Sequence, residues 1–137
     1  MLLARKTGLV ALGLLTMIGG AIAASPARAE SDPAKETATA ATHAGLAAKA
    51  ADMKGTQMHL HHVVNCLVGP KGKGFDESVG NPCKDQGNGA IPDTKNAAQK
   101  KSLQQALNRA RAGLRAKDMA TAQKDAVAVQ GMLTPKT

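Results

Sequence analysis

The sequence predicts an all-α fold: an antiparallel four-helix bundle of two repeated helical hairpins, joined by a long loop rich in glycine and proline. Composition is the first observation behind this prediction. Of 137 residues, 43% are hydrophobic, yet the chain has one Phe and no Trp or Tyr. Sheets draw on aromatic and β-branched residues, whereas alanine, leucine and methionine favour helices. The same composition excludes an aromatic stacking platform for single-stranded nucleic acid, and the length excludes a large enzyme core.

An internal repeat is the second observation. Residues 43–49, HAGLAAK, match residues 111–117, RAGLRAK, and the Asp-Met pair at 52–53 matches the pair at 118–119. A helical hairpin that occurs twice can bury its apolar face against its own copy, which gives four helices. The alternative is a chance similarity between two alanine-rich segments.

Residues 1–29 have the pattern of a secretory signal peptide. A short basic start is followed by an uncharged apolar run over residues 8–24, and Ala27-Arg28-Ala29 has the small residues of a cleavage site. We therefore predict a periplasmic or secreted protein with a single helical-bundle domain over residues 30–137. The alternative is an uncleaved membrane anchor, but the apolar run is just shorter than a spanning helix, and we expect no stable membrane insertion after cleavage.

Apolar residues at helical spacing, together with capping residues, predict four helices after the signal peptide. Residues 69–92 contain six glycines and three prolines and have no helical period. We expect this segment to be a loop, and a loop of this length in a compact domain needs a tether or a function. The predicted helices run from Pro33 to Lys49, from the cap Asp52 through Leu67, from the cap Asp93 to about Arg115, and from the cap Asp118 through Leu133.

The two cysteines, Cys66 and Cys83, predict a disulfide that tethers this loop, because an even cysteine count in an exported protein is typical of disulfides.

The charge predicts no nucleic-acid partner. The chain has 18 basic and 10 acidic residues, and three of the basic ones lie in the predicted signal peptide. The remaining net charge of about +5 is scattered, without the dense basic run of a nucleic-acid site.

All four histidines lie in the first predicted hairpin, and they predict a metal site. At 100° per residue, His59 and His62 share one stripe of the second helix with Cys66. Met58 lies at the edge of that stripe, and His43 can approach from the first helix. His61 points elsewhere and is a further candidate ligand. Asp76, Glu77 or Asp85 of the loop could complete the ligand set.

Imidazole with a thioether suits copper, and imidazole alone also suits zinc or nickel. We therefore predict non-enzymatic binding of copper or another divalent transition metal, with no organic cofactor. Two alternatives remain open. The histidines equally fit a solvent-facing or internally satisfied helix surface. The protein would then be a structural or protein-interaction module that meets a partner through loop 69–92, with Phe75 at the loop's exposed end. A thiol-based enzyme would require a free cysteine.

The second hairpin resembles a family of small exported metal-binding proteins, which are four-helix bundles built from repeated helical hairpins. The residues that carry the resemblance are ALNRARAGL at 106–114 followed by DMATA at 118–122. The resemblance covers both hairpins but not loop 69–92, and it implies periplasmic capture of divalent metals, copper among them, by surface histidines. This chain departs from the family because it has four histidines rather than many, which implies one site.

Overall fold

The computed structural model describes residues 30–135, and this part of the chain is all-helical. The predicted signal peptide over residues 1–29 lies outside the described residues. The described chain contains no strand, and its helices are α1 (Pro33–Lys49), α2 (Met53–Val68), a short α3 (Ala90–Asp93), α4 (Ala97–Leu114) and α5 (Met119–Leu133), with one 3₁₀ turn at Glu77–Val79.

Two of the predicted caps begin helices in the same way. The Asp52 carboxylate accepts a hydrogen bond from the Gly55 N–H at 2.7 Å at the start of α2. The Asp118 carboxylate accepts one from the Thr121 N–H at 2.8 Å at the start of α5. Each bond satisfies one of the backbone donors that a helix leaves unpaired at its first turn, and such a cap contributes about 1 kcal/mol.

The predicted start of the third long helix is wrong. Asn96, not Asp93, caps α4, and its side chain accepts from the Gln99 N–H at 2.9 Å. The Asp93 carboxylate is used elsewhere, because it accepts from the backbone N–H of Asn88 at 2.6 Å and from its side-chain amide at 3.1 Å. Residues 90–93 form α3, so the last part of the predicted loop is helical.

The four long helices contact one another in a ring: α1 packs against α2 and α5, and α4 packs against α5 and α2. Small residues allow this close packing. A Cβ atom on Gly45 of α1 would lie 2.6 Å from the Gln130 side chain of α5, and one on Gly113 of α4 would lie 2.9 Å from Leu60 of α2. Between the helices lies one apolar core, which includes Ala40, Ala44, Leu60, Val63, Leu67, Leu103, Leu107, Ala126 and Val129.

The predicted disulfide between Cys66 and Cys83 is confirmed, and both cysteines are buried. It ties the middle of the loop to the last turns of α2. Further along, the loop meets the start of α1, where the Gly89 N–H donates to Glu36 at 2.8 Å. Glu36 is 1% exposed, and burial raises the pKa of its carboxyl to about 7.

Among residues 30–135, no helix has the length and apolar character needed to cross a membrane.

Candidate metal centre

Three histidines from two helices converge where α1 crosses the middle of α2. His43 comes from α1, and His59 and His62 are one turn apart on α2. The Nδ1 atom of His43 lies 3.1 Å from Nδ1 of His59 and 3.2 Å from Nδ1 of His62. One ligand nitrogen from each residue lies within 4.8 Å of the others, and all three residues are half-buried. The structure therefore brings together the predicted ligand pair, His59 and His62, and the additional predicted ligand, His43 of α1.

The two distances from the His43 nitrogen to the other ring nitrogens are compatible with a single ion. A tetrahedral ion with metal–imidazole bonds of about 2.0–2.1 Å holds its nitrogen ligands about 3.3–3.4 Å apart. The two Nδ1–Nδ1 distances of 3.1 and 3.2 Å are close to that separation. Three protein ligands leave one tetrahedral position for water or for a further side chain.

A backbone carbonyl of the loop sets the orientation and tautomer of His62. The Nε2 atom of His62 lies 2.6 Å from the carbonyl oxygen of Val79. A carbonyl can only accept, so we assign the ring proton to Nε2, which leaves the lone pair of the neutral ring on Nδ1. Metal-binding histidines are commonly held in this way by a carbonyl on the opposite ring nitrogen. With His62 Nδ1 as an acceptor, the Nδ1–H of His43 donates to it. A metal bound at Nδ1 of His43 would require that neutral ring to carry its proton on Nε2 instead.

Asn65 positions the loop segment that carries this carbonyl. Its side-chain amide donates to the carbonyl of Asp76 at 2.7 Å and to the carbonyl of Gly80 at 2.8 Å. Its side-chain oxygen accepts from the Asp76 N–H at 2.8 Å. Asn65 is fully buried, and its three bonds to the loop are part-buried. They fix both ends of segment 76–80, and Val79 lies within it.

The environment keeps the ring of His43 uncharged. Burial, together with the neighbouring His62 and His59, lowers its pKa to about 4. The pKa of His59 is also lowered, first by burial and then by His62. Neutral imidazole is the form that binds a metal, so these rings need not lose a positive charge to bind one near neutral pH.

The other predicted ligands lie outside this cluster of ring nitrogens. His61 faces the loop, where its Nδ1 lies 3.8 Å from a carboxylate oxygen of Asp76. Met58 is 41% exposed and directly precedes His59, and its role as a ligand stays a prediction. Cys66 is in the disulfide and has no free thiolate. The carboxylates of Asp76, Glu77 and Asp85 do not belong to the cluster either.

Sequence reasoning missed Asn65 and the Val79 carbonyl. A signal for Asn65 exists, because it is the one polar residue in the stretch 63–68, VVNCLV, on a helix that is otherwise apolar there. The carbonyl has no side-chain signature.

Phe75, expected at an exposed end of the loop, is half-buried.

Comparisons with protein families, with curated proteins and with solved structures find no match to this chain.

Proposed function

We propose that this protein is an exported, non-enzymatic binding protein for one transition-metal ion, with copper as the first candidate and zinc or nickel as the others. The observation that supports it is the convergence of three imidazole nitrogens from His43, His59 and His62. Imidazole suits all three metals, and the neighbouring thioether of Met58 favours copper if it supplies the fourth ligand.

The lowered pKa values of His43 and His59 support this function over an unspecialised histidine surface. The Nδ1 atom of His43 lies 3.1 Å from that of His59 and 3.2 Å from that of His62, and such close nitrogens are stabilised by a shared proton or a shared cation. An exposed surface histidine has neither this crowding nor a lowered pKa. The Val79 carbonyl on the far side of the His62 ring adds the second contact that metal-binding histidines use.

The arrangement of the helices and the cellular location of the protein are part of the same proposal. We propose that the four long helices form an antiparallel bundle of two repeated hairpins, like the family of exported metal-binding proteins that the sequence resembles. The matching positions of Gly45 and Gly113, each facing the second helix of the other pair, support the repeat. The disulfide supports export, because disulfides persist in oxidising compartments such as the periplasm.

The protein-interaction role of loop 69–92 stays a prediction. A deletion within the loop does not separate that role from metal binding, because the loop supplies the Val79 carbonyl to His62. Point substitutions on the helices are therefore the better test.

The test compares two histidine variants of the purified protein. The double variant His59→Ala/His62→Ala removes two of the three nitrogens, and His61→Ala removes the histidine between them that lies outside the cluster. Isothermal titration with Cu²⁺ and Zn²⁺ should give one ion per chain for the wild type and for His61→Ala. Affinity in the double variant should fall by more than about 100-fold. Equal loss in both variants, or no loss in either, would contradict the proposed site.

A further inference from the structure

A cleft lies on a different part of the molecule from the histidine cluster. It has a volume of about 660 Å³ and lies between the end of α2, the start of loop 69–92, α3 and the middle of α4. We call it the α2–α4 cleft. Its volume lies in the range of about 300–1,000 Å³ that is typical of small-molecule sites. None of the three clustered histidines lines it.

The lining of the α2–α4 cleft combines an apolar wall with positive charge. Lys71, Lys73 and Arg111 supply three cations, and Asp93 supplies the one carboxylate of the lining. That carboxylate already accepts two hydrogen bonds from Asn88, at 2.6 and 3.1 Å. The apolar wall is formed by side chains that include Val68, Ile91 and Leu107. This lining is complementary to an anion with an apolar body.

Arg111 is held at the cleft by the loop. Its Nη2 donates to the Lys73 carbonyl at 2.6 Å, and a guanidinium has four further N–H donors. Gly74 lets the loop pass this close to Arg111. Its φ of +92° is in the region that favours glycine, and a Cβ there would lie 3.1 Å from Arg111 Nη2. The loop therefore orients the guanidinium through one donor and leaves others to meet a ligand.

The internal repeat aligns Arg111 with a residue of the histidine cluster. Arg111 of RAGLRAK aligns with His43 of HAGLAAK, and His43 is part of the histidine cluster. The aligned positions thus carry an imidazole of the histidine cluster in one segment and a guanidinium that lines the α2–α4 cleft in the other.

We infer that the α2–α4 cleft binds a small organic anion with an apolar body, of which a medium-chain carboxylate is the simplest example. The carboxylate pairs with the Arg111 guanidinium, whose planar fork matches two carboxylate oxygens. Lys71 and Lys73 add positive charge to the lining of the cleft. The alkyl chain packs against Val68, Ile91 and Leu107.

The test uses octanoate as the probe, with octanol lacking the charge and acetate lacking the apolar body. Titrations followed by amide chemical shifts should place octanoate at the cleft, with affinity rising about fourfold for each methylene from hexanoate to decanoate. Octanol and acetate should bind at least about tenfold more weakly. Equal binding of acetate and octanoate, or no binding of octanoate at millimolar concentration, would overturn the inference.

Matched arginine variants test the charged end. Arg111→Gln should weaken octanoate binding at least about tenfold, whereas Arg115→Gln, which changes an exposed arginine on the same stretch of chain, should leave it unchanged. Arg111→Lys keeps the charge without the fork and should give an intermediate affinity, provided that circular dichroism shows native helix content. A loss in Arg115→Gln equal to that in Arg111→Gln would mean diffuse attraction and would refute the site. Copper affinity of the Arg111 variants is measured in parallel and should not change.

Discussion

Replacement of Asn65 with alanine tests whether the loop positions His62 for the proposed metal site. Asn65 is fully buried and makes three hydrogen bonds of 2.7–2.8 Å to the backbone of Asp76 and Gly80. The substitution removes all three bonds and leaves two carbonyls and one N–H of the loop without their partner. The clustered ring nitrogens of His43, His59 and His62 are left unchanged.

Two magnitudes follow from this geometry. A hydrogen bond of this type contributes about 1 kcal/mol net, so the free energy of unfolding should fall by about 3 kcal/mol. Segment 76–80 also loses its anchor, and the Val79 carbonyl is no longer held 2.6 Å from Nε2 of His62. Loss of such a contact behind a metal-binding histidine weakens metal binding by about 10–100-fold.

The assay is urea unfolding combined with a Zn²⁺ competition titration at a temperature where the variant remains folded. Asn108→Ala on the exposed face of α4 is the matched control and should change stability by less than about 0.5 kcal/mol, with unchanged metal affinity. A variant that loses the expected stability but keeps wild-type zinc affinity would refute the view that the loop orients the His62 ring for metal binding.

Three further predictions concern the fold. Burial raises the pKa of Glu36 to about 7 from 4.5, so its folded form holds a proton that the unfolded chain releases. Wild-type stability relative to Glu36→Gln should therefore fall by up to about 3 kcal/mol as pH rises from 4.5 to 7, measured by urea unfolding across that range. Serine in place of both Cys66 and Cys83 should lower the free energy of unfolding by about 3 kcal/mol, and an unchanged denaturation midpoint would contradict the tethering role. Gly69→Ala should cost about 3 kcal/mol or more, because its Cβ would lie 1.6 Å from a loop carbonyl at φ +70°, whereas Gly131→Ala on an open helix face should stabilise by about 0.5–1 kcal/mol in the same assay.

The helical class and most helix ends were predictable because local sequence determines them. Asp52 and Asp118 are caps that use only residues three positions away. Asp93 looked equivalent, but its carboxylate is taken by Asn88, a neighbour in the opposite direction along the chain. Capping preference is a local rule, and it fails where another hydrogen bond within the fold competes for the same oxygen.

The candidate site was predictable to the extent that one helix defines it. Helical spacing alone puts His59 and His62 on one stripe and turns His61 away from it. His43 depends on how α1 and α2 are aligned, and the sequence could name it only as a candidate. The Val79 carbonyl depends on the path of an irregular loop, which residue periodicity does not describe.

The division of the proposed ligands between two helices determines how metal binding would change the free energy of unfolding. A metal that binds the folded chain alone stabilises it by about 2.7 kcal/mol when its free concentration is 100 times the dissociation constant. The unfolded chain keeps His59, His61 and His62 close in sequence, so it retains some affinity and reduces that gain. The fold adds His43 from α1 and the Val79 carbonyl behind His62. Stabilisation by the metal therefore measures what these two tertiary contacts contribute beyond the local run of histidines.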